Sequence, residues 1–416
     1  MSYLTMEGGN RLEGEVLLQG SKNGTLPILA ACILCKGQVI LRHCPKISDV
    51  TDLLEALSFA GVKSHWDKDV LYLDGSGAVP FFFEEELARK TRGGVLFLGA
   101  CLGRFGEASM AYPGGCVIGA RPIDLHCKVF RSMGVVLEEH SEEIYAKGYP
   151  KGCRIMLSYP SVGATENAVL AAVCAKGITE IYGAAKEPEV VQLCEFLNRA
   201  GGRIYGAGSH RIVIHGVKEL HGTEYCVPGD RIVAGTYLCA VAMTGGEVIL
   251  NGTRDVCMDG IKEWLGAAGL KFLTERNRIC LYRSGHLYPI KSLVTAPHPG
   301  FPTDMQSQMT ALLSVVPGES CITETVFESR FGVVEQLCRM GADLECENDR
   351  VWIRGGCPLH GAEIVASDLR SGAALIMAAL SAEGKSILHG YEFVARGYEE
   401  ICKVFGSMGA KIVQSE

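Results

Sequence analysis

The stretch SVGATENAVLAAVCAKGITEIYGAAKEPEVVQLCEFLNRAGG, from Ser161 to Gly202, decides the fold. Ser161 is placed to cap a helix, and the alanine-rich run behind it has high helix propensity. Gly177 reads as the end of that helix. The alternation in ITEIYG predicts a short strand. AAKEP is a turn, with Pro188 near the first position of a second helix. Val190, Leu193, Cys194 and Leu197 of that helix share one face. After it, Arg203 to Gly216 (RIYGAGSHRIVIHG) reads as a hairpin, and before Ser161 the segment CRIMLSY reads as a strand. The unit is strand, helix, strand, helix, then two strands.

The same unit recurs along the chain. Its first helices begin near Ser21-Lys22-Asn23, Thr91-Arg92-Gly93, Ser161-Val162-Gly163, Gly229-Asp230-Arg231 and Pro302-Thr303-Asp304, and near Ser367, Asp368 and Arg370. The first starts lie roughly 70 residues apart, a period that signals a repeat architecture. Several second helices end alike: FAGVK, SMGVV, RAGGR, AAGLK, RMGAD and SMGAK. Six repeats in 416 residues exceed one ordinary core. The expectation is an α/β fold of two domains with three repeats each. Residues 21–228 form the first, and residues 1–20 with 229–416 form the second. The segments YLTMEGG and LEGEVLLQG near the start read as strands that join the second domain. Three units can close with their small-residue helices inside and their sheets outside.

The formal net charge of −7 argues against a nucleic-acid partner, which favours a basic surface. Most of the 18 cysteines are scattered through apolar helices, as at Cys32, Cys35, Cys174, Cys194, Cys239 and Cys338. There cysteine packs as a small hydrophobe. Cys32 and Cys35 have redox spacing but lie within an apolar helix, and no Cys or His pairs complete a metal site. The start MSYLTMEGGN lacks the basic and apolar regions of a signal peptide. The longest apolar run, Leu26 to Cys35, is about half the roughly 20 residues of a membrane span. A reduced, cytoplasmic protein without membrane insertion is expected.

Equivalent slots of a pseudo-symmetric repeat point the same way. The first-helix starts carry Lys22, Asn23, Arg92, Ser161, Asp230, Arg231, Asp304, Asp368 and Arg370. The second-helix starts carry Lys46, Arg121, Lys186, Glu187, Arg254, Arg330 and Arg396. Helix N-termini favour anions, and these bring basic side chains as well. A lone Lys or Arg is usually a solvated surface charge. A basic slot filled in repeat after repeat points instead to a multiply charged anion held between domains. One repeat departs from its siblings. Its turn is enlarged to YPGGCVIGARPIDLH, Tyr112 to His126, with Cys116 at the tip. Pro122 starts a helix there, and Asp124 lies in its first turn. A long loop in the one irregular repeat points to function. Beside Arg121 and a helix N-terminus, the Cys116 thiol should ionise readily and serve as nucleophile or proton donor.

At these residues the chain resembles the enolpyruvyl transferase family, in the branch of the UDP-N-acetylglucosamine 1-carboxyvinyltransferases. The resemblance spans essentially the whole chain. It rests on SKNGTLPILAA, PGGCVIGARPIDLH, SVGATEN, KEPEVV, GDRIVAGTYL, HPGFPTDMQSQ, TETVFESRF, SDLRSGAAL and RGYEEI. It implies a two-domain inside-out α/β barrel with a cleft that closes on substrate. It implies transfer of enolpyruvate from phosphoenolpyruvate to the 3-hydroxyl of UDP-N-acetylglucosamine, the first committed step of peptidoglycan precursor synthesis. No cofactor or metal is implied. By resemblance Lys22, Arg121 and Arg396 contact phosphoenolpyruvate, with Arg92 and Arg370 near the same charge and Arg330 and Asp368 among the substrate-binding slots. Cys116 matches the loop cysteine that adds to phosphoenolpyruvate or protonates its methylene. Asp304 matches the base near the sugar hydroxyl, Asn23 a sugar contact and Val326 a sugar-side backbone contact. Arg121, Pro122, Ile123, Asp124 and Leu125 match the uridine-binding stretch, and Ser161, Val162 and Gly163 the diphosphate-binding turn. Gly24-Thr25, Tyr159-Pro160 and Gly229 depart from the family's common residues. Two other readings are a sister enzyme acting on shikimate 3-phosphate and a non-catalytic paralogue that binds the nucleotide sugar.

Overall fold

The computed structural model describes residues 2–112, 119, 122–282 and 286–415, with the side chains of Leu87, Arg89 and Arg92 left undescribed. Two compact units divide these residues. One takes in residues 20–112 and 122–228, and the other residues 2–19, 119, 229–282 and 286–415.

In the first unit the central helices are Lys22–Ala31, Leu96–Phe105 and Val162–Ala172. They are apolar or small-residued nearly all round, so they bury on every side. Glycine permits their closest approach. A Cβ on Gly99 would lie 2.5 Å from Asn167 Oδ1 and 2.6 Å from the Asn167 carbonyl oxygen, and one on Gly103 would lie 2.8 Å from the Leu170 carbonyl oxygen. Three four-stranded sheets surround these helices. Each joins a parallel edge pair to an antiparallel hairpin, as where Arg154–Met156 runs parallel to Ile178–Tyr182 and the hairpin of Ile204–Tyr205 and Arg211–His215 follows. Strands such as Ile178–Tyr182 alternate buried and less buried residues, the mark of a sheet with one face on the core. Strand Glu224–Cys226 returns to run parallel to Gln38–Arg42, which closes the third repeat onto the first.

The second unit repeats the plan around Arg231–Thr244, Gln306–Ser314 and Leu369–Ser381. Its sheets draw on the start of the chain. Glu13–Leu17 runs parallel to Glu247–Asn251. Tyr3–Glu7 lies between Lys385–His389 and Lys411–Ser415, antiparallel to both, and so supplies the hairpin strand that the sixth repeat lacks.

Three sequence expectations fail locally. The helix from Val162 ends at Ala172, five residues before Gly177, because the chain tightens there and the Ala175 N–H bonds the Ala172 carbonyl at 3.0 Å. The helix at the irregular turn begins at Asp124 and not at Pro122, with Ile123 as its cap. Every described cysteine is a free thiol. Burial pushes Cys35 up to about 12, and Cys32 well above its ordinary value, so neither ionises readily. Cys338 is exposed, contrary to its expected place in a core.

Candidate functional site

In the first unit, Ser21 caps the helix Lys22–Ala31 by accepting from the Gly24 N–H at 3.1 Å. Lys22 is therefore the first helical residue, a poor place for a cation because the helix dipole is positive there. Asp49, in the first turn of Ser48–Phe59, compensates at 2.7 Å, and the two side chains are only 11% and 2% exposed. Two charges this buried persist only as a pair. Lys22 thus presents a fixed cation at a helix N-terminus, suited to a phosphate or carboxylate. Asn23 beside it is half-buried.

The Ser161–Gly163 turn has the same build. Ser161 accepts from the Ala164 N–H at 3.3 Å. A Cβ on Gly163 would meet the His126 ring at 3.1 Å. That ring is held by Asn167, whose amide nitrogen lies 2.7 Å from His126 Nδ1 and donates to the Val95 carbonyl at 3.0 Å. The Asn167 side-chain oxygen, Oδ1, accepts from the Gly99 N–H at 2.8 Å. One buried amide thus ties the second and third central helices to the turn. In the irregular stretch Pro122 and Asp124 are exposed, Ile123 is buried and Leu125 is half-buried. Cys116, Arg121 and the side chain of Arg92 lie outside the described residues.

In the second unit the focus is Asp304, in the single turn Thr303–Met305 that opens the helix Gln306–Ser314. Arg330 Nη2 donates to one carboxylate oxygen at 2.7 Å and Arg370 Nη2 to the other at 2.6 Å. The guanidiniums are 3% and 4% exposed, and the carboxylate 24%. Burial pushes the Asp304 carboxyl up, but Arg370 and Arg330 outweigh it and hold it well below the usual carboxylate range. Burial likewise opposes the charge on Arg370, and Asp304 more than restores it. The result is an ionised carboxylate clamped by two cations. Arg330 Nη1 also donates to Thr303 Oγ1 at 2.9 Å, and its guanidinium lies 5.2 Å from the centre of the Phe327 ring.

The structure thus brings Asp304, Arg330 and Arg370 together. Other slots behave differently. Asp368 is a helix cap, and its carboxylate accepts from the Arg370 and Ser371 N–H groups at 2.8 and 3.1 Å. Arg396 is not at a helix start. An extra helix, Tyr391–Ala395, intervenes, and Arg396 caps its C-terminus, where a cation suits the dipole. Lys46, Lys186 and Arg254 are exposed, since their helices begin later and the side chains project into solvent. Lys46 pairs there with Asp69 at 3.0 Å.

Sequence reasoning missed Asp49, His126, Asn167, Glu324 and Tyr398. All but Asp49 lie within the motifs quoted above, but nothing in a lone Asn or Glu shows that it will be buried. Tyr398 joins the network of the second unit, with its hydroxyl 2.8 Å from Thr236 Oγ1 and facing Arg370. Among the described residues no cluster of His, Cys, Asp and Glu could hold a metal ion, and no helix is long and apolar enough to cross a membrane.

Residues 6–405 match the family described as EPSP synthase (3-phosphoshikimate 1-carboxyvinyltransferase). Over 415 residues the chain is 43% identical to a protein of Caldanaerobacter subterraneus subsp. tengcongensis named UDP-N-acetylglucosamine 1-carboxyvinyltransferase 2, covering 100% of both. It is 41% identical to UDP-N-acetylglucosamine 1-carboxyvinyltransferase 1 of Halalkalibacterium halodurans, covering 99% of this chain and 94% of that one. Two solved structures share the fold. The enolpyruvyl transferase NikO from Streptomyces tendae superposes with a TM-score of 0.90 at 24% identity, covering 100% of this chain and 99% of that one. An EPSP synthase from Acinetobacter baumannii superposes with a TM-score of 0.78 at 20% identity, covering 100% of both.

Proposed function

Because the chain belongs to the EPSP synthase family of enolpyruvyl transferases, we propose that it transfers the enolpyruvyl group of phosphoenolpyruvate to the 3-hydroxyl of UDP-N-acetylglucosamine and releases phosphate. This is the entry reaction of peptidoglycan precursor synthesis. The observation that carries the reading is full-length likeness at 43% identity to a protein named for this reaction. The Asp304 clamp and the Lys22–Asp49 pair support it, since the reaction needs a fixed carboxylate and fixed cations.

The chemistry is an addition followed by an elimination. A proton is added to the methylene carbon of phosphoenolpyruvate, and the sugar oxygen bonds to the adjacent carbon as its own proton leaves. The carbon–oxygen bond to phosphate then breaks, and a methyl proton departs to restore the double bond. Cys116 is the proposed acid. Lys22, Arg92, Arg121 and Arg396 hold the donor's phosphate and carboxylate, where fixed cations stabilise developing charge. Asp304 receives the 3-hydroxyl. Clamped by two guanidiniums it is a weak base, so it orients the hydroxyl first and takes its proton as the carbon–oxygen bond forms. The turn Ser161–Gly163 holds the diphosphate at a helix N-terminus. Arg121 to Leu125 meet the uridine, and Asn23 and Val326 the sugar.

The test is phosphate release from phosphoenolpyruvate, with and without UDP-N-acetylglucosamine, in wild type and Cys116→Ser. Release that requires the nucleotide sugar and collapses in the variant is expected. Release driven by shikimate 3-phosphate instead would replace this acceptor with that of the sister enzyme. Binding of UDP-N-acetylglucosamine with no turnover would make the chain a non-catalytic paralogue.

A further inference from the structure

Glu324 is 4% exposed, and a carboxylate so buried needs several donors. It has four. One oxygen, Oε1, accepts from the Val326 N–H at 2.7 Å, the Phe327 N–H at 3.2 Å and Thr295 Oγ1 at 2.8 Å. The other, Oε2, accepts from Thr303 Oγ1 at 2.7 Å. The two oxygens face different tasks. The first pins the turn Thr325–Phe327, which is also tied to Thr295 by the Thr325 N–H at 3.0 Å and the Thr325 hydroxyl at 2.6 Å. The second fixes Thr303, which receives Arg330 Nη1 at 2.9 Å, and Arg330 in turn grips Asp304 at 2.7 Å.

We propose that Glu324 is a positioning residue for the transfer: one oxygen sets the backbone turn that meets the acceptor sugar, and the other sets the Asp304 clamp. The proposal rests on the functional reading above. It explains why this position carries a carboxylate. A carboxylate offers about four acceptor directions, whereas a glutamine amide offers half as many and adds two donors. One of those donors would face the Val326 N–H or the Thr303 hydroxyl. Only the hydroxyl can turn to accept. The arrangement also limits how Val326 can serve the sugar. Its N–H is turned to Glu324, so its carbonyl is the backbone group left to receive a sugar hydroxyl.

The two arms can be cut separately. Thr295→Val removes one hydroxyl from the turn arm, and Thr303→Val removes the link to Arg330, each without changing side-chain shape. Initial rates of phosphate release would be measured in wild type, both threonine variants and Glu324→Gln, varying UDP-N-acetylglucosamine at saturating phosphoenolpyruvate. The expected result is a split. Thr295→Val raises KM for UDP-N-acetylglucosamine about 5- to 10-fold with kcat within about 2-fold. Thr303→Val lowers kcat about 10-fold with that KM within about 2-fold. Glu324→Gln, with its amide nitrogen turned to Thr303 and its oxygen kept on the turn, shows the kcat effect of Thr303→Val. A merely structural role would not separate the parameters by arm. If the threonine variants move kcat and KM together, or if Glu324→Gln matches wild type in both, the proposal is overturned. Should Glu324→Gln fail to fold, the threonine pair alone decides by the same criterion. If wild type itself releases no phosphate with UDP-N-acetylglucosamine, the functional reading falls and takes this one with it. Wild-type turnover without the split removes only the role of Glu324.

Discussion

At the scale of single residues, two carboxyls in this chain are driven in opposite directions. Asp304 is held well below the usual carboxylate range by Arg370 and Arg330, against the push of burial. Its ion pairs therefore stabilise the fold at every pH above the unfolded value near 3.8, and that contribution is lost only as the pH falls through the lower folded value. Asp304→Asn strands two buried guanidiniums. It should lower stability by about 3–5 kcal/mol in urea unfolding at pH 7 and turnover by about 10²- to 10⁴-fold. Glu166 is the reverse case. Burial, with Glu189 and Glu187 nearby, pushes its carboxyl well above the usual range. Folding is then penalised as the pH rises above 4.5, up to the raised folded value. Glu166→Gln should raise the melting temperature at pH 7.5, by about 2–4 °C for each kcal/mol recovered, and should leave it unchanged near pH 4. An equal gain at both pH values would show that charge is not the cause. Neither direction was legible in the sequence. DMQSQ and GATEN show where a carboxyl stands along the chain, but the charges that decide its behaviour come from residues far away in sequence, such as Arg370 for Asp304.

At the scale of elements, caps and close approaches carry the design. Ser21, Ser161, Asp230 and Asp368 each cap a central helix with a side-chain oxygen. The sequence announced all four as helix starts, because capping is a local matter of residue type. Packing between helices is not local. Nothing in LFLGACLGRF singles out Gly99, yet the third central helix lies against it. Gly99→Ala separates two opposing effects. Alanine favours the helix by about 1 kcal/mol, while the added methyl has no room between helices and costs about 1–3 kcal/mol. A net fall in the urea midpoint is expected, and a rise would mean that the helices separate at little cost. The same logic explains the misplaced arginine. Periodicity in YEFVARGYEE could not reveal that a short helix would be inserted before the last one, so Arg396 was assigned to a start when it sits at an end.

At the scale of the whole molecule, the repeats were legible because the first five each encode their own hairpin and turns, and the similar helix ends of all six reinforce one another. What a repeat cannot encode is its missing piece. The sixth sheet is completed by Tyr3–Glu7 and the fourth by Glu13–Leu17. The two units should therefore differ when made alone. A fragment of residues 20–228 contains every strand of its sheets and should melt cooperatively by circular dichroism. A fragment of residues 229–416 lacks both strands and should not, unless residues 1–19 are supplied in the same chain. Cooperative melting of the shorter second fragment would show that the sixth sheet survives with a gap. The same arrangement bears on synthesis. On the ribosome, Tyr3–Glu7 emerges long before its partner Lys411–Ser415. At about 5–20 residues per second, the strand waits roughly 20 to 80 seconds with both edges open while the unit between folds and is finished. A strand that leaves the ribosome so far ahead of its partners is the part that most needs protection from neighbouring chains, and a chaperone that holds extended segments would find its client there.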